Sequence, residues 1–91
     1  MTYAELRKAL RIMGLRERCT IKELKARHRE LVKRHHPDKV AGCNQEAIRD
    51  VNAAYRVLLD YVSEYRFSFA EEEFYEQNPD ELLRRQFMDD M

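Results

Sequence analysis

The chain has 91 residues, of which 44% are hydrophobic and 37% are charged, so we expect one small domain with a heavily charged surface. Lys/Arg and Asp/Glu number 17 each, but residues 16–39 carry +5 (nine basic, four acidic) and residues 60–91 carry −7 (three basic, ten acidic). No segment approaches the roughly 18 apolar residues of a membrane span, and the N-terminus lacks the pattern of a secretory signal. Two cysteines are too few to cross-link a small secreted fold. Together these observations predict a cytoplasmic protein without membrane contact.

The first helix is predicted at about residues 2–13. Four apolar residues spaced three and four apart form one helical stripe. They are Tyr3, Leu6, Leu10 and Met13. Gly14 follows directly, at a position where helices favour a residue that tolerates positive φ.

The second helix is predicted to carry an apolar edge and a basic edge. It opens with a capping box, in which Thr20 and Glu23 bond to each other's backbone N–H groups. It ends at about residue 35, because Pro37 disfavours α geometry in the residue before it. The apolar edge comprises Ile21, Leu24, His28, Leu31 and His35. The opposite edge, which we call the basic stripe, comprises Lys22, Lys25, Arg29 and Lys33.

The third helix is predicted over about residues 44–63. Asn44 is suited to cap its N-terminus, and apolar residues then recur at helical spacing. They are Ile48, Val51, Ala54, Tyr55, Leu58, Leu59 and Val62. Residues 36–43, which contain a proline and a glycine, are expected to join helices two and three as a loop.

Two short helices are predicted in the acidic tail. Ser68 and Glu71 have capping-box spacing and would open a helix through about Glu76. Asn78 as a cap and Pro79 at the first helical position would begin another. The tail aromatics are expected to pack on helices one and three, a client or partner site being the alternative. They are Phe67, Phe69, Phe74 and Tyr75.

Three sequence blocks occur in order, with a loop between two amphipathic helices. They are Leu10-Arg11-Ile12-Met13-Gly14-Leu15, Leu31-Val32-Lys33-Arg34-His35-His36-Pro37-Asp38-Lys39 and Val51-Asn52-Ala53-Ala54-Tyr55-Arg56-Val57-Leu58. Together they resemble the J domain, the module that defines DnaJ-type co-chaperones, over about residues 3–62. A His-Pro-Asp tripeptide alone recurs by chance, whereas three blocks at matching intervals are a specific signal.

The resemblance implies that this chain acts on another protein. In the family, the basic face of helix two contacts an acidic surface of a DnaK-type chaperone, and the tripeptide loop accelerates ATP hydrolysis by that partner. Carried over by position, the contact residues are Lys25, Arg29 and Lys33, flanked by Lys22 and Arg34, and the trigger is His36, Pro37 and Asp38. The chain has no glycine-rich phosphate-binding loop. We therefore expect a co-chaperone that assists protein folding, with no enzymatic activity and no cofactor.

The expected fold is all-α. Helices at about residues 20–35 and 44–63 form an antiparallel hairpin, helix one packs across it, and one or two short helices follow at the C-terminus. Residues 1–66 are expected to form the J domain. Residues 67–91, which we call the extension, are expected to be acidic, aromatic-containing and helical, and to pack on the J domain.

Three features depart from the family pattern. Arg27 stands where a small apolar residue is common, and His28 stands where an aromatic residue is common. The charged-then-small pattern that opens the family's fourth helix is missing after Leu58. These departures leave the tripeptide intact and affect mainly the region beyond residue 62.

Other functions fit the residues less well. A basic helix is also a footprint of nucleic-acid binding, but the acidic tail would repel phosphate. A metal site built on His28, His35 and His36 would need cysteine or carboxylate ligands that the spacing does not provide. A hydrolytic triad that includes His36 and Asp38 would also need a nucleophile, and no motif in the sequence supplies one. The remaining rival is an adaptor that keeps the fold as an interaction module only. We expect a monomer without bound metal.

Overall fold

The computed structural model of the protein describes residues 1–35 and 45–89. These residues form five helices and no strand. The helices are α1 (Tyr3–Met13), α2 (Ile21–Arg34), α3 (Gln45–Ser63), α4 (Glu71–Gln77) and α5 (Pro79–Asp89). Helices α1, α2 and α3 pack on one another, which confirms the predicted all-α hairpin with helix one against it. No helix in the described ranges has the length and apolar character to cross a membrane.

Local sequence sets the ends of the first two helices. The Thr2 hydroxyl accepts a hydrogen bond from the Glu5 backbone N–H (3.2 Å), and the Glu5 carboxylate accepts one from the Thr2 N–H (3.3 Å). Gly14 ends α1 with φ of 64°. The predicted capping box of Thr20 and Glu23 begins α2, with the Glu23 N–H 3.1 Å from the Thr20 hydroxyl. Asn44, predicted to cap α3, lies outside the described residues.

One small core joins α1, α2 and α3. Its seven buried members are Ala9, Met13, Leu24, Leu31, Val51, Ala54 and Leu58. Met13 is fully buried, and every one of the three helices contributes at least two of the seven. Because burial of apolar surface is the main favourable term in folding, removing any of these helices exposes the core. The packing therefore holds the basic stripe of α2 on the outside of a fixed framework.

The extension differs from the sequence expectation. Within the described residues, α4 and α5 contact each other and neither contacts α1, α2 or α3. Phe67, Phe69 and Phe74 are exposed instead of packed on helices one and three. The physical reason is that α1, α2 and α3 already satisfy one another's apolar faces, so no core-facing site is left for the tail aromatics.

Two details of the tail also differ. The predicted capping box at Ser68 is wrong: the Ser68 hydroxyl accepts from the Ala70 N–H at 3.2 Å, and α4 has no side-chain cap. A serine bond to the residue two positions on forms a local turn and does not cap a helix. The Asn78 side chain donates to the Phe74 carbonyl of α4 (3.0 Å) instead of capping α5, whereas the start of α5 at Pro79 is as predicted.

Candidate partner-binding surface

The basic stripe of α2 is open along its whole length. Lys22, Lys25, Arg29 and Lys33 are all exposed, and none forms an ion pair with another described residue. The spacing of three, four and four residues places them on one side of the helix over about 16 Å, at 1.5 Å per residue. Four cations in a row, without an ion-pair partner in the described ranges, make a positive strip that attracts an acidic surface.

Arg34 is exposed like the stripe but has a partner. Its guanidinium donates to the Glu30 carboxylate at 2.9 Å, and the same carboxylate lies 3.2 Å from the guanidinium of Arg27. Exposed ion pairs of this kind contribute about 0–1 kcal/mol, so a stronger acidic partner can replace Glu30. The predicted contact role of Arg34 therefore differs from that of the four stripe residues, which have no such contact to exchange.

Arg27 ties α2 to the end of α1. Its Nε donates to the Met13 carbonyl at 2.8 Å, and that carbonyl is one of the four that a helix C-terminus leaves without an internal partner. The terminal nitrogen of Arg27 approaches within 2.9 Å of where a Cβ on Gly14 would lie. Arg27 thus has a structural role, whereas the sequence alone identifies this residue only as a departure from the family pattern.

His28 ties α2 to α3. Its ring stacks on the Tyr55 ring with centroids 3.8 Å apart and an interplanar angle of 5°. Its Nε2 donates to the Asn52 side-chain oxygen at 2.8 Å. The sequence placed His28 on the apolar edge, and the structure gives it aromatic packing there. Within the described residues, no three His, Cys, Asp or Glu side chains gather as metal ligands would.

Cys19 precedes α2 and is the free thiol of the described residues. Burial raises the pKa of the Cys19 thiol, and the nearby Glu23 carboxylate raises it further. A raised pKa lowers the thiolate fraction at neutral pH, and the thiolate is the reactive form.

The tripeptide follows the stripe along the chain. His36, Pro37 and Asp38 lie outside the described residues. Their flanks are described: α2 ends at Arg34 with His35 as its C-terminal cap, and α3 begins at Gln45. The last stripe residue, Lys33, is three positions before the tripeptide, so the basic stripe and the tripeptide are close together in sequence.

Comparison with known protein families identifies the family of this chain. The sequence profile of the DnaJ domain family matches residues 8–67, which include α2, α3 and the segment between them. The chain belongs to the DnaJ domain family. Membership of this family supports a co-chaperone role in general.

One curated relative is the chaperone protein DnaJ of Ureaplasma parvum serovar 3. It is 39% identical over 49 residues, which are 54% of this chain and 13% of that protein. The chain thus matches a small part of the relative's length. No solved structure matches the chain.

Proposed function

We propose that this protein docks on a DnaK-type chaperone through the basic stripe of α2 and stimulates its ATP hydrolysis through His36, Pro37 and Asp38. In this proposal residues 1–66 are the J domain and residues 67–91 are a separate extension. The observation that carries the proposal is a row of four exposed cations on α2, none of which pairs with an acid in the described part of the chain, inside the region matched by the DnaJ domain.

The stripe has the properties of a docking surface. Exposed charges on one helical face steer association with an oppositely charged surface and set its register, and they do so less strongly as salt rises. The contacts of Arg27 and His28 hold α2 against both neighbouring helices. A helix held at two points needs no ordering of its backbone on binding, so the entropy cost of binding is limited to the cationic side chains themselves.

The tripeptide supplies a different chemistry. A carboxylate such as that of Asp38 accepts a bidentate, charge-assisted contact from an arginine. Pro37 fixes its own φ and so restricts the direction in which its neighbours point. We assign Lys22, Lys25, Arg29 and Lys33 to binding, with Arg34 joining them when Glu30 is displaced. We assign His36, Pro37 and Asp38 to stimulation.

The test separates binding from stimulation. Single-turnover ATP hydrolysis by a DnaK-type chaperone is measured against rising concentrations of the wild-type chain. Lys25→Glu/Arg29→Glu should raise the concentration for half-maximal stimulation about tenfold or more, since two attractive contacts become repulsive. Asp38→Asn should reduce the maximal stimulation. Arg56→Glu, a single exposed charge reversal on α3, is the control for a change of charge outside α2 and should behave as wild type.

Three results would contradict the proposal. No stimulation by the wild type would favour the adaptor function. Full stimulation by Asp38→Asn would remove Asp38 from the trigger. Retention of the wild type on duplex DNA at about 0.15 M salt would favour nucleic-acid binding, because the weak attraction of a few surface charges is already largely screened there.

A further inference from the structure

The extension presents large apolar side chains to solvent. Phe69 is 96% exposed and Phe87 is 80% exposed, and Leu83 and Met88 are exposed beside Phe87 on α5. What holds α4 to α5 is polar: Arg85 pairs with the Glu71 carboxylate, and its guanidinium lies over the Tyr75 ring at 5.7 Å. No residue of α4 is buried. The extension thus has an apolar surface that its own chain leaves uncovered.

The chain also exposes more surface than a compact protein of its mass. Its accessible surface is 8128 Å², whereas a compact monomer of 11.0 kDa exposes about 5,600 Å². Its radius of gyration is 18.6 Å, against about 12 Å for a compact 91-residue domain. The excess of about 2,500 Å² exceeds the roughly 800 Å² per partner of a standard protein interface. A second copy can therefore bury enough of this surface for a stable pair.

The charge distribution indicates which surfaces meet. Residues 1–66 contain fifteen Lys/Arg and nine Asp/Glu, a net charge of +6, and residues 67–91 contain two Lys/Arg and eight Asp/Glu, a net charge of −6. Two extensions repel each other, and so do two J domains. The favourable pairing joins the extension of one copy to the J domain of another.

Helix α1 offers the matching surface on the J domain. Its outer side carries Arg7, Lys8 and Arg11, which we call the α1 basic face. All three are exposed and none forms an ion pair with another described residue. The exposed Tyr3 ring lies 5.9 Å from the Arg7 guanidinium. Close to the start of α1, Met1, Tyr61 and Tyr65 line an open depression, and its remaining lining is charged: Asp60, Glu64 and Arg66.

The basic stripe of α2 is a poorer match. Its four members are all cations, and the neighbouring Ile21 is the large apolar residue that α2 leaves exposed. The extension combines acids with aromatic and aliphatic side chains, so its complement needs both charge and apolar area. The α1 basic face, with Tyr3 at its end, provides both.

We propose that the protein forms a reciprocal pair in which the extension of each copy docks on the α1 basic face of the other. Glu72 and Glu76, exposed and four residues apart on α4, face Arg7 and Arg11, which are also four residues apart on α1. Both spacings are about 6 Å along a helix. The aromatic residues of the extension pack against Tyr3 and its apolar surroundings. Reciprocal docking closes the assembly at two copies.

The test is sedimentation equilibrium of the full chain from about 1 μM to about 1 mM. In about 0.1 M salt the mass should approach twice the 11.0 kDa of one chain, and in about 1 M salt, where the screening length falls to about 3 Å, the association should weaken. Arg7→Glu/Arg11→Glu and Glu72→Arg/Glu76→Arg should each weaken it about tenfold, because attraction becomes repulsion at every contact. Circular dichroism checks that both variants keep the helical content of the wild type.

An equal mixture of the two variants gives the sharpest result. Each variant alone brings together like charges, whereas in the mixture both interfaces again join opposite charges, so the association should return to near the wild-type strength. The matched control is Lys25→Glu/Arg29→Glu, which makes the same change in net charge on α2 and should leave the association within about twofold of wild type.

Each of the following results would overturn the proposal. The wild type would remain at the mass of a single chain throughout the concentration range. The mixture would associate no better than either variant alone. The α2 control would weaken the association as strongly as the α1 reversal, which would assign the docking surface to the basic stripe. None of these measurements involves a chaperone partner, so their outcome is independent of the proposed co-chaperone function.

Discussion

Replacing Arg27 by alanine should destabilise the J domain more than substitutions of residues near the surface usually do. The change removes the Nε bond to the Met13 carbonyl (2.8 Å), and hydrogen bonds that involve a charged group contribute about 1.5–3 kcal/mol. The pair with Glu30 adds little, because Glu30 is half-exposed and also holds Arg34. Alanine and arginine have similar helix propensities. We therefore expect a loss of about 2 kcal/mol.

That loss is large for a chain of this size. At 0.05–0.15 kcal/mol per residue, the total stability is about 5–14 kcal/mol. The melting temperature should fall by about 8–16 °C, at 4–8 °C per kcal/mol. Urea unfolding followed by circular dichroism should show a lower midpoint with an unchanged slope. The control is Arg29→Ala, the same substitution two residues further along α2. Arg29 is exposed and forms no ion pair with another described residue, so this change should cost under about 0.5 kcal/mol. Equal losses for the two variants would refute the role given to Arg27.

Three further predictions concern residues around α2. Gly14→Ala should cost about 1–2 kcal/mol, because φ of 64° strains a residue with a Cβ; chemical denaturation measures it, and no loss would disprove the strain. His28→Ala should cost about 1–2 kcal/mol, and His28→Phe about half of that, because phenylalanine keeps the stack on Tyr55 but not the hydrogen bond. In a Cys43→Ser background, folded Cys19 should react with iodoacetamide more slowly at neutral pH than the urea-unfolded chain and should speed up as pH rises, because burial raises the pKa of its thiol; equal rates would contradict this.

The helices of the J domain follow closely from local sequence. Thr20 with Glu23, and Gly14 after the stripe of α1, are signals that depend only on residues within one turn, and the structure confirms both. The apolar spacing of α3 likewise places Val51, Ala54 and Leu58 in the core. Each of these features can be predicted without knowing where any other helix lies.

The contacts between helices were not predictable in the same way. The bond from Arg27 to the Met13 carbonyl joins residues 14 positions apart, and the contact of His28 with Asn52 joins residues 24 positions apart. No spacing rule relates such pairs. The predicted packing of the extension was wrong for a related reason. Its aromatic residues suggested burial in the core, but whether a core has room for them depends on the three helices that form it.

Within α2, the residues that stabilise the fold are distinct from those proposed to bind a partner. Arg27 and His28 contact α1 and α3, whereas the four cations of the basic stripe form no ion pair with any acid among the residues that the structure describes. Like charges three or four residues apart on a helix destabilise it by about 0.2–0.5 kcal/mol per pair, and the stripe contains three such pairs. Lys33 lies in the last turn of α2, where a cation favours the helix dipole, but this does not account for the other three cations. Binding to an acidic partner would account for the row, because cations that repel one another within the helix would then all attract the same acidic surface. The stripe is therefore better explained by binding than by stability.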